Sequence, residues 1–123
     1  MTKIAIVEDD QVISQMYRIK FESEDFDVDT AENGKLGLDL VKNMKPDILL
    51  LDLMMPEMNG DEMLSLMRKT DWGKDIPVII LTNMGESEIP DSVMNLGVAQ
   101  VILKADMTPS QVVTLVKNQL AGV

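Results

Sequence analysis

Four uninterrupted apolar runs, each stopped by a polar group, constrain this chain more than any other feature. Ile4-Ala5-Ile6-Val7 stops at Glu8-Asp9-Asp10, and Ile48-Leu49-Leu50-Leu51 stops at Asp52. Val78-Ile79-Ile80-Leu81 stops at Thr82, and Val101-Ile102-Leu103 stops at Lys104. Short runs without polar alternation read as strands covered on both faces, the pattern of a parallel sheet between two layers of helices. The segment Phe26 to Thr30 alternates instead and reads as a further strand.

Helix-periodic segments separate these runs. Val12, Ile13, Met16 and Ile19 fall on one face of a first helix, and Leu36, Leu40, Val41 and Met44 give a second its spacing. That spacing outweighs Asn33-Gly34 as a hairpin turn. Pro46-Asp47 breaks the second helix. Asn59-Gly60 introduces a third, with Met63, Leu64 and Met67 on its inner face. Pro77 opens the fourth strand, where a missing N–H is tolerated. A fourth helix is expected from Ser87 to Leu96, stopped by Gly97. The fifth strand is expected at Gln100 to Leu103. Thr108 caps a fifth helix with Pro109 at its first position, and Val112, Val113, Val116 and Leu120 are expected to face the core.

The expectation is a single α/β domain over residues 1–123, a doubly wound five-stranded parallel sheet with five helices. Right-handed crossovers leave few ways to order such strands. Open sheets of this kind bind ligands beyond the carboxyl ends of their strands. Those ends here carry acids, a hydroxyl and an ammonium.

Composition narrows the chemistry. With 21 acidic against 11 basic residues the net charge is −10, which argues against direct nucleic-acid contact or an anionic membrane surface. Cysteine and histidine are both absent. Thiolate metal sites, cysteine nucleophiles, most zinc sites and the commonest general base are thereby excluded. No apolar stretch approaches the roughly 20 residues that span a bilayer, so a cytoplasmic protein is expected. The 11 methionines suit irregular core gaps.

Glu8, Asp9 and Asp52 would place three carboxylates together. Like charges roughly 4 Å apart repel by several kcal/mol at an effective dielectric of about 20, so the cluster needs a cation or a proton. With hard oxygen ligands only, Mg²⁺ fits best and Mn²⁺ is possible. Asp52 is then free to attack a phosphoryl group, with Thr82 and Lys104 on the phosphoryl oxygens. Asp10 reads instead as a helix cap. Asp27, Asp29, Asp39, Asp61, Asp71 and Asp91 read as solvated charges or turn formers.

These residues carry a resemblance. The acidic cluster after the first run, Asp52-Leu53-Met54-Met55-Pro56 with Gly60, Thr82 and Lys104 resemble the receiver domain of bacterial two-component response regulators along the whole chain. The resemblance implies a flavodoxin-like strand order 2-1-3-4-5. It implies that Asp52 accepts a phosphoryl group from a sensor histidine kinase or a histidine phosphotransfer protein. Asp9 and Asp52 would bind Mg²⁺ directly, with the Met54 backbone carbonyl as a further ligand and Glu8 acting through water. Thr82 and Lys104 would bind the phosphoryl oxygens. The signal would pass to a downstream protein target, or to a homodimer, through the fourth helix, fifth strand and fifth helix.

Three departures from the family pattern carry expectations of their own. Ala105 replaces the proline that usually follows the lysine. A non-proline cis bond costs about 2.5–4 kcal/mol, so a trans Lys104–Ala105 bond and a rearranged loop are expected. Val101 stands where an aromatic is common. Met54 and Met84 flank the site where polar residues often position hydrolytic water, which is expected to slow loss of the phosphoryl group. The alternative reading within the fold is a phosphorylation-independent docking or dimerisation module. An aspartyl-phosphate phosphatase would carry a second Asp where Met54 stands. A flavin protein would not place Glu8-Asp9-Asp10 against a phosphate.

Overall fold

Every side chain of Ile48–Leu51 and of Val78–Thr82 is buried, because these central strands carry helices on both faces. The computed structural model describes residues 2–55, 57–83, 85 and 88–122. Its strands are β1 (Lys3–Val7), β2 (Asp27–Ala31), β3 (Ile48–Leu51), β4 (Val78–Thr82) and β5 (Val98–Leu103). They form one sheet in the order β2-β1-β3-β4-β5, and every neighbouring pair is parallel. The helices are α1 (Gln11–Ser23), α2 (Gly34–Met44), α3 (Gly60–Arg68), α4 (Asp91–Met94) and α5 (Pro109–Leu120).

Strand alternation divides the core in two. Ile4, Ile6, Ile48, Leu50, Ile79 and Ile102 pack with Tyr17 and Phe21 of α1 and Val112, Val113 and Val116 of α5. Ala5, Val7, Leu49, Leu51, Val78 and Ile80 pack with Val41 of α2, Met63, Leu64 and Met67 of α3, and Val93 of α4. The two edge strands differ from the centre. β2 turns Asp27 and Asp29 outward. β5 carries an extra residue at Ala99, since Val78 pairs with Val98 but Ile79 with Gln100.

The expected caps at Asp10 and Thr108 are in place, and Asn33 and Asn59 cap α2 and α3 as well. Asp10 accepts from the N–H groups of Val12 and Ile13, Asn33 from Leu36, and Asn59 from Glu62. Thr108 forms a reciprocal capping box with Gln111, and Pro109 occupies the first turn of α5. Asn33-Gly34 opens α2 and makes no hairpin.

Three expectations are corrected. The apolar face expected for α1 is turned outward: Val12, Met16 and Ile19 are exposed and only Ile13 is partly covered. The chain offers two apolar stripes there, and the one with Tyr17 and Phe21 takes the core because aromatics bury more area. Phe21 also stacks edge-on against Phe26, with centroids 5.0 Å apart. The fourth helix is far shorter than expected. Pro90 forces an extended start and α4 spans four residues. Ser87, the expected start, lies outside the described residues. Finally, Leu120 is 38% exposed at the frayed end of α5 and not part of the core.

Gly97 ends the α4 segment in the left-handed region, at φ 78°, as the sequence implies. The turn is held by Arg68, the last residue of α3. Its Nε donates to the Leu96 carbonyl at 2.6 Å and its Nη2 to Gly97 at 3.2 Å. Its Nη1 donates to Gly73 and to Ile76, each at 2.8 Å. One fork of donors thus ties three stretches of chain, which a lysine ammonium cannot do. Burial lowers the Arg68 pKa, and the charge on Asp75 partly offsets this. Arg68→Met is expected to strand part-buried carbonyls and to lower stability by about 2 kcal/mol. Urea unfolding monitored at Trp72 checks this, with Arg68→Lys recovering less than half of the loss.

Candidate functional site

Strand register brings the polar ends together. Val7 pairs with Leu51, so the next residues, Glu8 and Asp52, leave adjacent strands side by side. The Asp52 N–H donates to the Val7 carbonyl at 3.0 Å, and the Glu8 N–H to Ala31 at 3.0 Å. Glu8 continues the parity of Ile4 and Ile6, Asp52 that of Ile48 and Leu50, and Lys104 that of Ile102. These three side chains therefore share the α1/α5 side of the sheet. Thr82, the last residue of β4, is fully buried and pairs in register with Leu103.

Lys104 reaches across the end of β4. Its Nζ hydrogen-bonds Glu8 Oε1 and stands 3.2 Å from Asp52 Oδ2. The other oxygen of Asp52, Oδ1, accepts the Met54 N–H at 3.2 Å. After Lys104 the chain makes a 3₁₀ turn, Lys104–Asp106, and the Lys104–Ala105 bond is trans. The loop after Asp52 is closed where the Gly60 N–H donates to the Leu53 carbonyl at 3.0 Å. A side chain on Gly60 would collide with the Asp52 carbonyl, so α3 stands directly behind Asp52 only because residue 60 is glycine.

The charges do not balance. Glu8 and Asp52 are 1% and 4% exposed, one ammonium faces both of them, and the Asp9 carboxylate lies close to the pair. Burial, above all, pushes the Glu8 carboxyl up from 4.5 to about 8, aided by its hydrogen bond to Asp52 and opposed by Lys104. Burial disfavours the Lys104 ammonium, but the hydrogen bond to Glu8 and the charges on Asp52 and Glu8 outweigh it, so its pKa is raised. In the absence of a cation, a proton on Glu8 relieves the repulsion.

The same geometry suits a metal. Carboxylate oxygens of Glu8, Asp9 and Asp52 lie within 4.8 Å of one another, and all are hard ligands. They line a cavity of about 370 Å³ together with Asp10, Ile13, Met54, Asn83, Glu88 and Lys104. A larger groove of about 560 Å³ lies between α3 and α4, but no such convergence of charge marks it. Of the residues singled out in the sequence, Glu8, Asp9, Asp52, Met54 and Lys104 line the cavity, and Thr82 sits at the adjoining strand end. Met84 lies outside the described residues. Asn83 and Glu88 were missed. Asn83 directly follows Thr82 and was within reach of the strand-end argument. Nothing in periodicity foretells the return of Glu88.

Comparison with known proteins agrees with this architecture. The family model for the response regulator receiver domain matches residues 4–117. The response regulator ArlR of Staphylococcus saprophyticus is 35% identical over 85% of this chain and 46% of its own length. The phosphate regulon transcriptional regulatory protein PhoB of Rhizobium meliloti is 32% identical over 89% of this chain and 48% of its own. The chain thus spans less than half the length of these curated relatives. A receiver domain from Methanospirillum hungatei superposes with a TM-score of 0.89 at 25% identity, covering 99% of this chain and 95% of that one. The receiver domain of Francisella response regulator 1452 gives 0.87 at 26% identity, covering 98% of each chain. The chain belongs to the response regulator receiver domain family.

A pH dependence follows from Glu8. Its raised pKa contributes stability that is full below pH 4.5 and lost as pH rises through about 8. The raised Lys104 pKa acts only above its ordinary value of 10.5, outside this window. The melting temperature of metal-free protein should therefore fall between pH 5 and 8, and the rise on adding MgCl₂ should grow across that window. Scanning calorimetry across this range, with EDTA or with MgCl₂, checks both signs.

Proposed function

We propose that this chain is a phosphoryl-accepting signalling switch, in which Asp52 takes a phosphoryl group from a sensor histidine kinase or a histidine phosphotransfer protein. The observation that carries this reading is the convergence of Glu8, Asp9, Asp52 and Lys104 at one strand edge, in a chain of the receiver family. Residues 1–123 act as one receiver domain, and the chain serves its own phosphotransfer and dephosphorylation without turning over a separate substrate.

Asp52 is the nucleophile. A carboxylate attacks a phosphoryl group without a separate general base, and the neighbouring Lys104 serves as a cation. Asp9 and Asp52, the Met54 carbonyl, and Glu8 through a water would hold Mg²⁺, or Mn²⁺, whose bound charge offsets that of the acceptor and the phosphoryl oxygens. Lys104 exchanges a carboxylate for a phosphoryl oxygen, and Thr82 hydrogen-bonds another. The exposed stripe of Val12, Met16 and Ile19, which begins two residues after Asp10, gives a protein donor an apolar surface beside the acidic cavity.

Phosphorylation of a side chain adds about −1.5 to −2 charges. Moving a surface from 1:99 to 99:1 takes about 5.5 kcal/mol of differential interaction. Charge-assisted contacts to Thr82 and Lys104 are of that order. The surface that responds is α4, β5 and α5, which meets a downstream protein or a second copy of the chain. With Val101 in place of an aromatic the shift is smaller than in receivers that carry one. The net charge of −10 favours protein partners over direct nucleic-acid contact, and the phosphoryl donors place the switch in the cytoplasm.

Incubation with acetyl phosphate and Mg²⁺ should add one phosphoryl group to the wild type, seen by intact mass spectrometry. Asp52→Asn, or EDTA present from the start, should abolish the addition. A wild type that accepts nothing from acetyl phosphate or from a histidine kinase makes phosphorylation-independent docking the better reading. The exposed Met54 at the cavity mouth, 65% accessible, offers no polar group to guide water. The phosphoryl group should accordingly persist for many minutes in plain buffer with Mg²⁺, and a lifetime of seconds contradicts this.

A further inference from the structure

We infer that Gly34, in the first turn of α2, positions the loop that follows Asp52 for cation binding. The inference rests on the proposed cation-dependent acceptor role of Asp52. Leu53–Met55 lead away from Asp52 and Glu57–Asn59 return to Gly60, where the bond from the Gly60 N–H to the Leu53 carbonyl closes the base of the loop. Its far side is tied to a different element, because the Gly34 N–H donates to the Met58 carbonyl at 2.8 Å. Within the loop, the Met54 N–H holds Asp52 Oδ1 at 3.2 Å. A displacement at Met58 is therefore carried to the backbone that orients Asp52 and presents Met54 to the cavity.

Glycine is required at position 34 by proximity. Its backbone is not in the left-handed region, so alanine would adopt it freely. A methyl there would stand 2.5 Å from the Met58 carbonyl oxygen, 2.9 Å from Met58 Cγ and 3.1 Å from the Asn59 carbonyl oxygen. Two of these atoms are backbone and cannot swing aside, so the loop itself must move. The helix is the fixed partner. Asn33 is buried and caps α2 through the Leu36 N–H at 2.8 Å, and Gly37 packs against Val7 and Met63. Alanine is also the better helix former, so on helix propensity alone Gly34→Ala would strengthen α2.

A matched control exists at the opposite end of the sheet. A methyl on Gly73, in the connection between α3 and β4, would meet the Met67 carbonyl oxygen at 2.7 Å and Thr70 Oγ1 at 2.9 Å. Both substitutions drive a methyl into a carbonyl, and only one of them adjoins the loop after Asp52. Calorimetric titration with MgCl₂ alone should show Gly34→Ala binding about tenfold more weakly than the wild type, the scale seen when groups that orient metal ligands are lost. Acetyl phosphate labelling of Gly34→Ala should reach the wild-type extent once Mg²⁺ is raised by about the same factor. Gly73→Ala should melt at a lower temperature and keep the wild-type Mg²⁺ affinity. Wild-type affinity in Gly34→Ala, or an equal loss in Gly73→Ala, overturns the inference. Should Gly34→Ala not fold, amide exchange on the wild type decides. Coupling is reciprocal, so saturating Mg²⁺ should slow exchange at the Gly34 amide, and an unchanged rate overturns the inference. A wild type that binds no Mg²⁺ overturns the cation reading itself, whereas a binding wild type with an unaffected Gly34→Ala overturns the positioning role alone.

Discussion

The reach of one ammonium across the end of β4, to carboxylates on β1 and β3, is the interaction on which the rest of this edge depends. Glu8 and Asp52 are buried next to one another and repel, and Lys104 faces both. Removing it would leave buried charge uncompensated, which is far more costly than never having built the pair. Folding alone would favour apolar residues at these positions. Their polarity fits the role proposed for this site, because groups already held in place would need little reorganisation on binding a cation or phosphoryl group. The Glu8 pKa is raised by burial above all, and Lys104 offsets this only in part.

Much of this was legible in the sequence, for physical reasons. Strands buried on both faces need continuous apolar runs, which marks β1, β3 and β4, while the shorter run Val101–Leu103 marks the edge strand β5, of which only Ile102 is buried. Parity then carries Glu8, Asp52 and Lys104 to the same side of the sheet, a consequence of the period of two in any strand. What failed were choices between equal patterns. In α1 the stripes Val12-Met16-Ile19 and Ile13-Tyr17-Phe21 are both apolar, and spacing does not say which one the aromatic bulk will pull inward. In α4 the helix-periodic pattern runs through Pro90, but the ring makes the helix begin after it. Glu88 belongs to a loop whose path depends on packing. The strand order came from family likeness, because right-handed crossovers permit several orders.

The α4 segment is held differently at its two ends. Arg68 binds the carbonyls of Leu96 and Gly97, which fixes the turn into β5. The other end begins at Pro90 with no side-chain cap, and Ile89 just before it is buried in the core. A four-residue helix has little stability of its own, since nucleating the first turn is the costly step. Its position is therefore set by its attachments. Val101 is half-buried against the same core cluster as Val93, which joins β5 to α4 by packing.

The extra residue at Ala99 has a consequence for how this molecule meets others. An edge strand ordinarily offers a row of free N–H and C=O groups to any passing strand. A bulge breaks the spacing of that row and increases the local twist, so a partner strand cannot stay in step along β5. The opposite edge is guarded by the outward carboxylates of Asp27 and Asp29. Neither border of the sheet is a template for strand addition, and recognition on the β5 side is left to side chains, which can be rearranged without lengthening the sheet.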